Sequence, residues 1–281
     1  MSSKKSLQII LMVVRCLKDT YYQGFAAQMA FYFILSIVPI MIVLSQMLGL
    51  VSISLNVLDD LIKQYASEEF AELLADFLSY TPTGPMNVFF LVVALWAASR
   101  AQYAMVRLAN YSTSESRSAG KGYLRDRLKA FRTILFTLLT VTFTLIILVY
   151  GEMIVKLITS SVFIFTGAEY EIRAFWMIIR WPVAIVLYFL MVSYNYYTLP
   201  YEKVRFRDVL PGSFFSSAGM LVATFFYAIY MKYVGSFDII YGSLASSVAL
   251  IFWFFILSWA IVIGVLLNKA CSDIKNKAAS D

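Results

Sequence analysis

At 281 residues, 61% hydrophobic and only 14% charged, the chain is too apolar for a soluble domain, which is nearer half apolar and a quarter charged. A net charge of +6 would suggest nucleic acid in a soluble protein, but the basic residues lie mostly beside long apolar runs. Orientation against an anionic leaflet explains them better, and no nucleic-acid partner is expected.

Leu7, Ile10, Leu11, Val14, Leu17 and Tyr21 recur at helical spacing, with Lys4, Lys5, Arg15 and Lys18 around them. This predicts a basic amphipathic helix, either on the membrane surface or packed under a bundle. Its start has a basic flank but no small-residue cleavage site, so no cleavable signal peptide is expected. The first span covers about 24–53, where Gln28, Tyr32, Leu35, Pro39 and Gln46 share one face. Pro39 frees the carbonyl of Leu35 and predicts a kink. That face reads either as the lining of a pathway or as interhelical glue.

Residues 55–80 alternate Leu58, Leu61, Ile62, Leu73 and Phe77 with Asp59, Asp60, Glu68, Glu69, Glu72 and Asp76. They predict an outer amphipathic helical segment, too charged to span. After the Thr81-Pro82-Thr83-Gly84-Pro85 breaker, the second span covers about 86–110 and holds Arg100 and Arg107. The stretch 111–132 reads as a polar, basic loop. Further spans are predicted over about 133–158, 174–199, 209–231 and 243–268. The fourth contains Arg180 and the kink-forming Pro182. In the last two, Gly212 with Ser216, Gly219 with Ala223, and Ala245 with Ala249 sit four apart, a spacing that allows close helix approach.

The N-terminus, 111–132, 200–208 and the C-terminus carry most of the Lys and Arg. The positive-inside rule then places both termini in the cytoplasm and gives six spans. The expected fold is all-α: a polytopic membrane helical bundle of six transmembrane helices, an N-terminal interfacial helix and the outer amphipathic segment, in one integral domain over 1–281. Cys16 and Cys271 fall at cytoplasmic ends, where a disulfide is not expected.

The chain has no histidine, which excludes a Ser-His-Asp arrangement and histidine-ligated zinc. No C-x-x-C, G-x-x-x-x-G-K-[ST] or G-x-G-x-x-G occurs. No catalytic residue, metal or cofactor is therefore expected, and the chain reads as no enzyme. The acids lie in loops or near span ends, which leaves the intramembrane arginines as the functional clue. Arg100 lies about 20 Å from the outer end of its helix. It reads either as a structural arginine bonded to helix-end carbonyls or as the contact of an anionic solute or lipid phosphate. Arg180 fits a snorkelling anchor, and Asp238 in the short outer loop is the candidate partner of Arg180 or of Arg173.

Four stretches stand out together: Ala26-Ala27-Gln28-Met29-Ala30-Phe31-Tyr32-Phe33-Ile34-Leu35-Ser36-Ile37-Val38-Pro39; Trp96-Ala97-Ala98-Ser99-Arg100 with Arg107-Leu108-Ala109-Asn110; Pro200, Pro211-Gly212 and Tyr241-Gly242-Ser243-Leu244; and Trp253 with Gly264 and Leu267-Asn268. In order and spacing they resemble the YihY/BrkB family of bacterial inner-membrane proteins. Where the family's closing motif usually has Glu, this chain has Leu266, so no role of that carboxylate applies here. The resemblance implies a six-span bacterial membrane protein, and through its motifs it adds Asn110 to the site. The name ribonuclease BN was once attached to the family. Metal-dependent RNA cleavage needs a polar His/Asp cluster in water, which this sequence lacks.

The expected function is a transporter or flippase-like carrier of an anionic or amphiphilic, lipid-like substrate. The alternative is a non-transporting scaffold for envelope assembly that docks through 55–80 and 111–132. Candidate substrate-binding residues are Arg100, Arg107, Gln28, Tyr32, Asn110 and Arg180. The expected partners are membrane lipids and an anionic small molecule or lipid, with the oligomeric state left open.

Overall fold

A computed structural model describes residues 3–49, 85–114, 117–147, 169–234 and 243–280. The predicted acidic segment 55–80 and Asp238 lie outside these residues. The described chain is all helical: α1 (Ser3–Leu17), α2 (Thr20–Gly49), α3 (Pro85–Thr113), α4 (Tyr123–Leu145), α5 (Glu169–Thr198), α6 (Phe206–Val234) and α7 (Ser243–Ser280). Five of them, α2 and α4 to α7, contain stretches long and apolar enough to cross a membrane. α3 has 29 residues, about 43 Å at 1.5 Å per residue.

The helices α2 to α7 pack in chain order, and α7 closes back on α2. The result is a ring in which each helix touches its sequence neighbours. Large apolar side chains such as Val88, Phe89, Leu128, Leu139, Phe214, Phe225 and Phe252 are exposed on it. In a chain with membrane spans these are the surfaces that lipid covers. The interior is filled by Ala26, Met29, Ala104, Val106, Leu108, Tyr196, Val262 and Leu266. A second cluster, Val43, Ala94, Ala98, Ile134 and Leu138, joins α2, α3 and α4.

α1 lies against α7 and α2. Ile9 and Val13 are buried, while Leu7, Ile10, Leu11 and Val14 remain exposed. It is thus packed on one side and keeps a free apolar stripe on the other.

The largest differences from the sequence reading are at the start of α4 and the end of α7. α4 begins at Tyr123 rather than near 133, so Arg125, Arg127, Lys129 and Arg132 are helical, not loop. Gly122 sets that start with φ 111°, a backbone conformation that glycine adopts without strain. α7 continues to Ser280 instead of ending near 268. Its extension stays against the bundle, with Ala270 in the core and Cys271 and Ile274 packed on it, and carries Lys269 and Lys275. Pro39 and Pro182 lie inside α2 and α5, and both helices run through them without a break. Each proline removes one backbone donor without ending its helix.

One end of the ring gathers the start of α2, the end of α3, the start of α4, the 199–205 turn and the end of α7. Lys and Arg cluster there, so it is the basic end of the ring. It is tied by polar bonds between distant residues. Arg117 pairs with Asp19 at 3.0 Å, and the Tyr111 hydroxyl donates to the same carboxylate at 3.2 Å. Lys129 Nζ donates to the Pro200 carbonyl at 2.6 Å and sits 4.0 Å from the Tyr201 ring centre. Lys275 pairs with Asp208 at 2.8 Å.

The tightest seam joins α6 and α7. A Cβ on Gly212 would strike the Gly264 carbonyl and Asn268, and one on Gly264 would strike Ser216, Tyr196 and the Gly212 carbonyl. Only glycine admits this approach, which accounts for the small residues at these positions. The Gly212 N–H donates to Asn268 Oδ1 at 2.6 Å. The Tyr196 hydroxyl donates to the Ile261 carbonyl at 2.9 Å and lies 2.6 Å from Ser216 Oγ. Ser216 Oγ donates to the Ala260 carbonyl at 2.8 Å.

Candidate functional site

The residues singled out from sequence do not form one constellation. Arg100 is exposed on the flank of α3 and makes no hydrogen bond or ion pair among the described residues. It is therefore neither clasped by backbone oxygens nor turned into the ring. Arg107 is half-buried two turns further along the same face. Gln28 and Tyr32 are half-buried on α2, with the Tyr32 ring 5.6 Å from Phe31.

Asn110 has a different task. Its Nδ2 donates to the Val106 carbonyl at 2.7 Å, and its Oδ1 accepts the Tyr201 N–H at 2.8 Å. Buried with both ends of its amide occupied, it ties the 199–205 turn to α3. Arg180 lies on α5, its guanidinium carbon 5.8 Å from the Trp181 ring centre.

The residue that the sequence reading passed over is Arg127. It lies in the second turn of α4 and is only 3% exposed. Its Nη2 donates to the Trp96 carbonyl at 2.5 Å. Its guanidinium carbon stands 4.2 Å over the Trp96 ring and 5.9 Å from that of Tyr103. Ser99 Oγ donates to the same Trp96 carbonyl at 2.8 Å. The Trp96-x-x-Ser99-Arg100 stretch is thus the seat of a second arginine, and its own arginine points away from the ring. Tyr123, Arg100, Tyr103 and Tyr32 are among the charged or titratable groups close to Arg127. Asp126 is adjacent in the chain but is turned to the preceding loop, where its Oδ1 accepts the Lys121 N–H at 3.2 Å.

Trp96, Arg100, Tyr103 and Arg107 follow one another at helical spacing on one face of α3. The Tyr103 ring meets Tyr123 of α4 at 5.8 Å. An α3–α4 flank therefore carries three arginines and an aromatic rim.

A second polar feature joins three helices inside the ring. Gln102 Nε2 and Asn195 Nδ2 each donate to Thr137 Oγ1 at 3.2 Å. Both amide oxygens are buried and lack a donor. Two pockets lie apart from these groups. One, of about 520 Å³, opens at the basic end between Thr113, Tyr196, Lys203, Arg205, Asp208 and Lys269. The other, of about 860 Å³, is an apolar groove between α6 and α7 lined by Phe226, Tyr227, Phe252 and Trp253. Neither is lined by Arg100.

The family described as Virulence factor BrkB matches residues 13–281, from the middle of α1 past the end of α7. The chain belongs to the BrkB family. Among similar proteins is one named "Putative ribonuclease-like protein YfkH" from Bacillus subtilis (strain 168), 26% identical over 251 residues, which covers 88% of each chain. A "UPF0761 membrane protein" of Prosthecochloris aestuarii (strain DSM 271 / SK 413) is 25% identical over 255 residues; the match covers 85% of this chain and about half, 54%, of that relative. No solved structure matches. This BrkB-family chain is a membrane protein with several apolar helices.

Proposed function

We propose that this BrkB-family protein is a six-span carrier of the bacterial cytoplasmic membrane, with both termini in the cytoplasm, that moves an anionic amphiphile rather than catalysing a reaction. α3 is the sixth span, and the basic end is cytoplasmic by the positive-inside rule. The observation that carries the reading is the position of Arg100: charged, unpaired among the described residues, and exposed on the outer flank of α3 among apolar side chains. A cation there is costly unless an anion meets it. An anion that reaches it from the bilayer side has an apolar part of its own. Entry is therefore lateral, from the inner leaflet, and not through a pocket within the ring.

The test is transbilayer movement of headgroup-labelled phosphatidylglycerol in proteoliposomes. The intact protein is expected to speed movement over protein-free vesicles. Arg100→Gln, which removes no bond seen in the fold, is expected to lower that rate by about tenfold, the kinetic equivalent of one lost charge-assisted contact. Equal rates with and without protein, or an unchanged rate in Arg100→Gln, overturn the reading.

A further inference from the structure

We infer that the exposed Arg100, together with Arg127 seated on Trp96 beside it, forms the binding site for the phosphodiester headgroup of an anionic phospholipid. The site uses the same flank as the carrier reading but does not depend on movement, since a lipid held there and never moved satisfies it.

The first argument is hydrogen-bond accounting. A guanidinium is a planar fork of N–H donors that is always charged. In Arg127 one nitrogen, Nη2, is bonded, to the Trp96 carbonyl. Nε is shut away from solvent without an acceptor, although the residue is 3% exposed. A buried cation that lacks acceptors is strongly unfavourable. Trp96 relieves only part of this, by its ring face at 4.2 Å.

The second argument is the sign of the surroundings. Arg100, close to Arg127, is also positive, and Tyr123, Tyr103 and Tyr32 around it are neutral phenols. Asp126, the acid nearest in sequence, is engaged by Lys121 N–H. Two cations on one flank thus share no carboxylate among the described residues, and the missing component is an anion.

The third argument is what surrounds the site. Trp96 and Tyr123, 44% and 63% exposed, are the aromatic residues enriched at headgroup depth. Leu124 and Leu128, 68% and 63% exposed, extend an apolar surface from α4 beside them. A cationic seat, an aromatic rim and an adjoining apolar wall match a phosphate, its glycerol and an acyl chain in turn. The planar fork binds phosphate oxygens in pairs. A lipid with net negative charge is favoured over a zwitterionic one, because choline brings its own cation to a site that already holds two.

The test is lipid binding to the full-length protein in detergent micelles, followed by native mass spectrometry with phosphatidylglycerol, phosphatidylcholine or inorganic phosphate added. Phosphatidylglycerol is expected to bind about tenfold more tightly than phosphatidylcholine, the equivalent of one charge-assisted hydrogen bond. Arg100→Gln is expected to reduce this preference and Arg100→Gln/Arg127→Gln to abolish it. If the double variant does not fold, Arg127→Lys serves instead. It keeps the charge, loses the fork, and is expected to weaken phosphatidylglycerol binding. Lys203→Gln, at the basic-end pocket, is expected to leave the preference intact.

The inference is overturned if the two lipids bind equally, if both arginine variants keep the preference, or if Lys203→Gln reduces it as much as Arg100→Gln does. Displacement of the lipid by inorganic phosphate at equal concentration also overturns it, since the site then recognises phosphate without the lipid. Loss of lipid preference and loss of transbilayer movement are separate readouts. A protein that binds the lipid but moves none keeps this site and loses only the carrier reading.

Discussion

The α6–α7 seam and the α3–α4 flank are both rich in polar groups, yet they resolve them in opposite ways. At the seam, Gly212 N–H finds Asn268, the Tyr196 hydroxyl finds the Ile261 carbonyl, and Ser216 finds the Ala260 carbonyl. Within that set each donor, from α6 or from Tyr196 of α5, has an acceptor on α7, and α6 and α7 touch. On the flank, Arg127 uses one nitrogen and Arg100 makes no bond among the described residues. Polar groups that hold a fold together are spent on one another. Groups left with unspent donors in an apolar setting are available to something outside the chain. In a bilayer the contrast is sharper than in water, because no solvent takes up the remainder.

The largest effect is expected from closing the gap at the seam. Gly264→Ala places a methyl against Ser216, Tyr196 and the Gly212 carbonyl, and Gly212→Ala strikes the Gly264 carbonyl. Backbone on both sides cannot yield as a flexible side chain does, so each is expected to cost on the order of 3 kcal/mol. Thermal unfolding in detergent would show a large fall in midpoint, or loss of the monodisperse folded species. Gly219→Ala is the internal control. Its Cβ would meet Ala260 Cβ at 3.5 Å, an ordinary contact. Better helix propensity there is expected to leave stability unchanged or raised by up to about 1 kcal/mol. Equal damage from all three substitutions would remove the distinction between the close and the loose part of this seam.

The next effect is smaller. Tyr196→Phe removes one hydroxyl and leaves the Ile261 carbonyl and Ser216 without that partner. About 1 kcal/mol is expected, the usual size of a hydrogen bond between spans. The same unfolding assay checks it. No change would mean that the seam rests on glycine packing alone.

These contrasts are only partly visible in the amino-acid sequence. Apolar runs, the Thr81–Pro85 breaker and the four-residue spacing of Gly212 and Ser216 are local signals, and they locate the helices and one close contact. The start of α4 escapes such signals because 111–132 is basic and polar, the usual mark of a solvated loop. The helix instead begins after Gly122, and Arg127 is buried by Trp96, which is remote in sequence. Asn110 misleads for a related reason. Its partner Tyr201 lies in another turn, and nothing local shows that its amide is already occupied. Arg100 can be found because a charge within an apolar run stands out. Arg127 cannot, because it stands among other charges. A usable signal is the imbalance of 111–132, where two acids, Glu115 and Asp126, face six Lys and Arg, so that some of its cations must lack a counterion.

The smallest effect concerns pH and tests whether the basic end belongs with the satisfied seam or with the open flank. Tyr201 lies in the turn after α5. Burial, with the Asp126 carboxylate adding to it, pushes its phenol from the usual 10.0 up to about 12. A raised value in the folded chain means that the neutral phenol is favoured by folding. The associated stability is fully present below about pH 10, where the unfolded phenol is also neutral, and is lost as pH climbs towards about 12. Tyr201→Phe is therefore expected to be less sensitive than the parent chain between about pH 10 and about 12 and to differ little in that respect below it. Lys129 and Lys121, 4.0 and 5.1 Å from the ring centre, are present in both chains, so comparing the two isolates the phenol. Unfolding midpoints across that window provide the measurement. A parallel decline in both chains would mean that water reaches Tyr201 freely, and that the basic end is an open cationic surface like the α3–α4 flank.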